Sequence, residues 1–272
     1  MIKRGDTREI STIICTEDYE RPRALSVSIS MPAAQRRTAM ASEREKQAAA
    51  GRSLAFVRDG YVVGLGTGST ASHAIRLLGE LVQAGLKIRA IPTSVNSRVL
   101  AAGLGIPLTT FDECSEIDVT IDGADEIDPA LNLIKGGGGA LLREKIVASA
   151  SHTVVIIADA SKQVPALGNF PLPVEVVPFA QALLARRIEA LGASVTVRKD
   201  RKGRQFVTDE GHHILDCSFG EIPDPAGLAG ELSHMPGVVE HGLFIAMTDI
   251  VLIGKGAEVL ELRRPSDRPG PA

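Results

Sequence analysis

Four short apolar runs punctuate the chain before residue 160: Tyr61-Val62-Val63, Ile88-Arg89-Ala90-Ile91, Ile117-Asp118-Val119-Thr120-Ile121 and Val154-Val155-Ile156-Ile157. Their length and β-branched content mark strands. The stretches around them carry helical spacing instead. Residues 70–83 place Ala74, Ile75, Leu78 and Val82 on one face, 98–102 make a short helix, and 140–148 form a third. A further helix starts at Ser42, favoured by Glu43, Lys46 and Ala48-Ala49-Ala50, with Leu54, Phe56 and Val57 on its apolar side. Strands alternating with helices predict an α/β fold, a doubly wound and mostly parallel sheet. Such sheets bind ligands beyond the carboxyl ends of their strands, and each polar cluster of this chain follows a strand.

The pattern changes near Pro171. Val174 to Val177, Val195 to Arg198 and Phe206-Val207-Thr208 read as strands, and 180–191 as a helix. Asp209-Glu210-Gly211 reads as a tight turn into the strand His213-Ile214-Leu215-Asp216, making a hairpin. This half is a smaller α+β unit. Phe244-Ile245-Ala246 and Ile250 to Ile253 are late strands that can return to the first sheet. The division expected is 41–167 plus 246–263 for the main domain and 168–245 for the smaller one, with a disordered tail over 264–272. Residues 1–40 mix charges with short apolar patches and show no sustained period. They read as a disordered extension or as a start placed too early, with Met31 or Met40 as the alternative. The acid-free, Arg/Ser-bearing stretch 21–40 also admits an organelle transit peptide, against which the acids before it count.

Composition excludes several classes. A net charge of −3 gives no electrostatic case for nucleic acid or an anionic membrane, and with no Trp and two Tyr there is little to stack bases on. No apolar run approaches the roughly 18 residues of a membrane helix. Cys15, Cys114 and Cys217 are odd in number and far apart, which suits a reducing cytoplasm rather than a disulfide framework.

The chemistry-bearing residues concentrate after the strands. Gly64-Leu65-Gly66-Thr67-Gly68-Ser69-Thr70 follows a strand and opens a helix, so it is either an anion cradle with hydroxyl donors or a simple tight turn. It lacks the third glycine of a dinucleotide fingerprint and the Gly-Lys-Ser/Thr of a P-loop, but it could pass for a methyltransferase loop. Thr93-Ser94-Val95-Asn96-Ser97 offers hydroxyls to a substrate or merely caps a helix. Asp122 and Asp125 in Asp122-Gly123-Ala124-Asp125 can cap, hold Mg²⁺ or Ca²⁺, or belong to a charge-balanced organic site; the nearby Lys135 argues for the last. Lys135 precedes Gly136-Gly137-Gly138-Gly139, which lets backbone approach a ligand. Glu144 is either a solvated helix residue or a base over the site. Lys162, in Asp159-Ala160-Ser161-Lys162, suits a phosphate or is an exposed loop lysine. His212-His213 reads as surface, and no histidine spacing suits a metal.

Taken in order, these segments resemble ribose-5-phosphate isomerase of the A type. The set comprises Val63 to Ala71, Asp122 to Glu126, Ile134 to Gly138, Leu142-Arg143-Glu144-Lys145, Ala158 to Lys162, Pro173-Val174-Glu175-Val176, Thr208-Asp209-Glu210-Gly211 and Gly237 to Phe244. The likeness covers residues 42–262. Gly139 stands where many relatives have Ala or Thr, a change expected to be harmless.

The resemblance implies a Rossmann-like domain with a smaller lid and a homodimer or larger assembly. It implies reversible interconversion of D-ribose 5-phosphate and D-ribulose 5-phosphate in the non-oxidative pentose phosphate pathway, with no metal or organic cofactor. Glu144 is then the base that moves a proton between C2 and C1 through an enediolate. Lys135 and the backbone of Gly136, Gly137 and Gly138 stabilise the developing charge. Asp122 and Asp125, with Gly123 and Ala124, bind the sugar, and Asp122 assists ring opening. The phosphate sits on Thr67, Gly68, Ser69 and Thr70 with Lys162 and Lys46. Two rivals, a sugar-phosphate-sensing regulator domain and a methyltransferase, leave Lys135 and Glu144 without a role. The regulator would carry a helix-turn-helix, absent from the first 40 residues. The methyltransferase wants an acid after the second strand, where Pro92-Thr93-Ser94 stands.

Overall fold

The structure, a computed structural model, describes residues 33–256 and 258–265. The expectations for residues 1–32 and 266–272 lie outside them. Helix α1 (Ala33–Ser53) begins nine residues before the predicted start. Its added turns are rich in Ala, Gln and Arg, all strong helix formers, so the stretch expected to be extension is helical from Ala33. Leu54 to Phe56 leave the helix as a 3₁₀ turn. Ala49 and Ala50 are fully buried, and α1 crosses so closely that a Cβ on Gly254 would stand 2.1 Å from the Glu45 carbonyl oxygen. Small residues thus hold α1 on the sheet, and α1 carries Lys46.

From there the chain winds as expected through β1 (Val62–Leu65), α2 (Ser69–Gln83), β2 (Arg89–Pro92), α3 (Val95–Gly103) and β3 (Ile117–Asp122). After β3 come β4 (Glu126–Ile127) and β5 (Leu133–Ile134), α4 (Leu141–Ser149), and β6 (Ser151–Asp159). The smaller unit contains β7 (Leu172–Val176), α5 (Gln181–Ala190), β8 (Ser194–Val197), β9 (His213–Ser218), α6 (Pro225–Ser233) and β10 (Val238–His241). The chain then runs through β11 (Leu243–Phe244), β12 (Ile250–Lys255) and β13 (Glu258–Arg263).

Among the described residues these strands make three sheets. The main one has the order β13-β12-β6-β3-β1-β2, parallel apart from the edge strand β13. From β1 the chain moves outward to β2, then crosses back over β1 to β3. The β1–β3 seam is therefore a switch point, where loops leaving the two strands part and open a crevice. One face is filled by Leu65, Ile75, Leu78, Val119 and Ile121 beneath α1 and α2, the other by Ile127, Leu133, Val154, Ile156, Phe244 and Val251. Each such large side chain contributes about 1.5–3 kcal/mol by leaving water.

The smaller unit is a four-stranded antiparallel sheet, β10-β7-β9-β8, with α5 and α6 packed on it through Leu184, Ile188 and Leu232. Two expectations fail here. Phe206 to Thr208 form no strand: β9 pairs with β8 and β7, and the 206–208 segment is held by Phe206 N–H to Arg198 O (3.0 Å) and Thr208 N–H to His212 O (2.9 Å). The turn itself is present, closed by Gly211 N–H to Thr208 O at 3.0 Å. The 244–246 strand does not rejoin the main sheet. Leu243 and Phe244 instead pair with β5 in a third small sheet, β11-β5-β4, while Ile250 to Ile253 do return, beside β6. Arg264, expected in a loose tail, donates from its backbone to Asp249 O and from its guanidinium to Thr248 O and Leu131 O. No helix among the described residues is long and apolar enough to cross a membrane.

Candidate active site

A cleft of about 160 Å³ opens at the carboxyl ends of β1, β3 and β6. Its walls are Lys46, Thr67, Gly68, Ser69, Thr70, Gly123, Ala124, Asp125, Lys135, Gly136, Gly138, Glu144 and Lys162. Thirteen of the fifteen residues expected to catalyse or bind thus meet around one cavity. The other two adjoin it: Asp122 pairs with Lys135, and Gly137 N–H meets Asp125.

The first wall is the loop from β1 to α2. Gly66 must be glycine because a Cβ there would lie 2.1 Å from Asp122 Oδ1. Gly68 has φ +111 and caps α2 without a side-chain bond, leaving the first-turn amides open to an anion. The Thr67 hydroxyl, expected as a donor to that anion, is turned away. It donates to Ser94 Oγ (2.8 Å), Ser94 donates to Ser97 Oγ (3.0 Å), and Ser97 donates to Gly66 O (2.6 Å). The 93–97 segment is therefore a cap whose hydroxyls stiffen the glycine loop: Ser94 caps α3, and Thr93, Ser94 and Ser97 are buried. Lys46 arrives from α1 and Lys162 from the turn after β6, giving two cations across from Ser69 and Thr70.

The opposite end is buried and charge-balanced. Lys135 follows β5, and its backbone N–H is held by Gly242 O at 2.9 Å. Its ammonium donates to Gly123 O (2.5 Å) and pairs with Asp122 Oδ2 (3.0 Å) and Glu144 Oε1 (3.4 Å). Phe244 lies under it, with the ring centroid 5.4 Å away. All three charged residues are under 5% exposed. Burial opposes the lysine's charge, but Asp122 and then Glu144 outweigh it and hold its pKa above the ordinary value. Glu144 moves up, to about 8, because burial and the nearby Asp122 and Asp125 exceed the help of Lys135. Its Oε2 is buried and has no hydrogen-bond partner among the described residues. The solvated-helix reading of Glu144 is thereby excluded.

Asp122 is buried beside the cleft, with both carboxylate oxygens engaged. Its Oδ1 accepts from Thr67 N–H (3.0 Å) and Gly123 N–H (2.7 Å), and its Oδ2 is taken by Lys135. Asp125 lines the cleft and accepts Gly137 N–H at 2.7 Å. No group of three or more His, Cys, Asp or Glu residues among the described residues is placed to hold a metal ion. His212, read as surface, reaches the buried Glu175 at 3.0 Å. Gly139 is not a neutral position: φ is +81, and a Cβ would stand 2.4 Å from Phe206 Cζ.

Sequence reasoning missed Arg198. It joins Asp216 through two N–H donors, one at 3.0 Å, and reaches Gly136 O at 2.7 Å. It was visible only as the last residue of a predicted strand, and nothing in its local pattern signals a long reach into another unit.

Comparisons with known proteins agree with this geometry. The family profile of ribose 5-phosphate isomerase A (phosphoriboisomerase A) matches residues 89–258. A ribose-5-phosphate isomerase A of Bradyrhizobium diazoefficiens is 53% identical over 238 residues, covering 83% of this chain and 99% of that protein. One of Parvibaculum lavamentivorans is 52% identical, covering 82% of this chain and all of that protein. A solved D-ribose-5-phosphate isomerase in complex with phospho-erythronic acid superposes with a TM-score of 0.80 at 40% identity, over 82% of this chain and 99% of that one. The enzyme from Methanocaldococcus jannaschii gives 0.77 at 42% identity, over 80% and 97%. Nothing in these likenesses favours a regulator or a methyltransferase, and the chain belongs to the ribose 5-phosphate isomerase A family.

Proposed function

We infer that this chain interconverts D-ribose 5-phosphate and D-ribulose 5-phosphate, with Glu144 as the proton-transferring base. The observation that carries the reading is the unpartnered, buried Glu144 Oε2 in a cleft it shares with Lys135. A carboxylate in that position has a free lone pair and a raised basicity, as abstraction of a carbon-bound proton requires.

Glu144 takes the C2 proton of the open-chain aldose. The electrons of the C–H bond form the C1=C2 double bond, and the carbonyl electrons move onto O1. The Lys135 ammonium and the amides of the glycine run stabilise that charge at the buried end of the cleft. The C2 hydroxyl proton passes to O1 within the enediolate, which moves the negative charge to O2. Glu144 then gives a proton to C1, the double-bond electrons take it up, and the charge on O2 closes to the C2 ketone. Asp122 keeps Lys135 charged and in place. Asp125, Gly123 and Ala124 border the sugar hydroxyls. Ser69, Thr70, Lys46 and Lys162 hold the phosphate, Thr67 and Gly68 through backbone.

The solved relative is in complex with phospho-erythronic acid, a phosphorylated sugar acid, which supports a phosphosugar as the ligand of this family. We place the main domain at 41–167 plus 246–263 and a lid at 168–245. A homodimer in the cytoplasm completes the proposal. Fully exposed Phe179 with Val177 and Leu183 offers it an apolar face, and the free Cys114 and Cys217 suit a reducing compartment. The test is purified protein given ribose 5-phosphate in EDTA. Ketose should form at once; no ketose, or ketose only after metal is added, overturns the reading.

A further inference from the structure

We propose that Arg198, contributed by the smaller unit, is a positioning residue that sets the direction of the amide donors in the 136–139 loop. Gly139 N–H donates to Gly136 O at 2.9 Å, so these four residues form a turn whose central peptide is Gly137–Gly138. Such a peptide can flip at little cost when both its residues are glycine. Arg198 prevents this from outside. One of its guanidinium nitrogens donates to Gly136 O (2.7 Å) and to Gly137 O (3.3 Å). A trans peptide points its N–H opposite its carbonyl. Holding Gly136 O on the Arg198 side turns Gly137 N–H the other way, and it meets Asp125 Oδ2 at 2.7 Å. Holding Gly137 O likewise turns the N–H of Gly138, a cleft-lining residue, away from Arg198.

The guanidinium is itself fixed. Asp216 engages its Nε and one terminal nitrogen, and Phe206 lies with its ring centroid 5.9 Å from the guanidinium carbon. The Arg198 side chain is only 11% exposed. Phe206 also packs against Gly139, so the segment after β8 touches both ends of the glycine turn. An arginine is suited to this because its planar fork serves a carboxylate and carbonyls together, which a lysine does not.

The inference rests on the isomerase reading, and its test separates the two. Wild-type protein is assayed with ribose 5-phosphate beside Arg198→Met and Asp216→Asn, with folding followed by circular dichroism. Amides that act on the developing charge contribute to kcat rather than to ground-state binding. Arg198→Met should lower kcat about 10- to 100-fold, less than the roughly 10²–10³-fold seen when an oxyanion donor is removed outright, because the amides remain and lose only their direction. KM should stay within about threefold, since the phosphate contacts lie at the other end of the cleft. Affinity for phospho-erythronic acid should fall with kcat, and affinity for inorganic phosphate should not change. Asp216→Asn should give a smaller loss with the same split, and it decides the matter if Arg198→Met does not fold. Unchanged kcat, or kcat and phosphate affinity falling together, overturns the role of Arg198. Absence of wild-type turnover would instead overturn the isomerase reading.

Discussion

The two ends of the cleft solve different problems. At the end proposed for the phosphate, Lys46 and Lys162 are only partly buried, around a glycine loop stiffened from behind by its own domain's hydroxyls. At the chemical end Lys135, Asp122 and Glu144 are nearly sealed, and their charges interact where screening is weak. The first end suits holding a dianion that enters and leaves solvated. The second suits shifting a carboxylate's basicity and stabilising transient charge. Substitutions at the two ends should therefore separate in kinetics, with kcat governed by one and KM by the other.

The largest expected effect tests the sealed end. Glu144→Gln keeps the shape, removes the base, and should lower kcat by about 10³-fold or more, with substrate affinity retained. Lys135→Met comes next, at about 10²–10³-fold in kcat. It should also lower the melting temperature, because it strands Asp122 as a buried charge, a loss of about 3–5 kcal/mol, while Glu144 becomes neutral. Retention of wild-type stability in that variant would mean the triad is less sealed than described. At the open end, Lys162→Met should raise KM about tenfold, from loss of one charge-assisted contact, and leave kcat within about twofold. A kcat loss equal to that of Lys135→Met would erase the contrast between the ends. The smallest effect is in pH. Glu144 must be ionised to act, and burial raises its pKa to about 8. So kcat/KM should climb as pH rises toward 8 and level above it, while Lys135, held above its ordinary value, stays charged throughout. A profile already flat from pH 6 upward would contradict the raised basicity.

What was legible in the sequence divides along similar lines. The parallel sheet was readable because buried parallel strands are short and almost wholly apolar, as in Val154 to Ile157, and because helices separate them. The cleft walls were readable because each is a short motif directly after a strand. Long-range partnerships were not. Phe206 to Thr208 have strand-like composition, yet β8 occupies the β9 edge they would need. Leu243 and Phe244 look like any returning strand, but β5 takes them first. Asp122 has the local pattern of a ligand-facing acid, and its ion pair with Lys135, thirteen residues away, was not legible in that pattern. Arg198 lies about sixty residues from the glycines it holds, and local patterning carries no trace of that contact.

The central claim is that Glu144 carries a proton between C2 and C1. The direct measurement is proton NMR of ribose 5-phosphate incubated in D₂O with wild-type protein and with Glu144→Gln at equal concentration. Wild-type protein should place deuterium on C1 of the ketose and, as turnovers accumulate, on C2 of the aldose, while Glu144→Gln should leave both positions protonated over the same time. Deuterium entering at the wild-type rate in the Glu144→Gln protein would show that another group moves the proton.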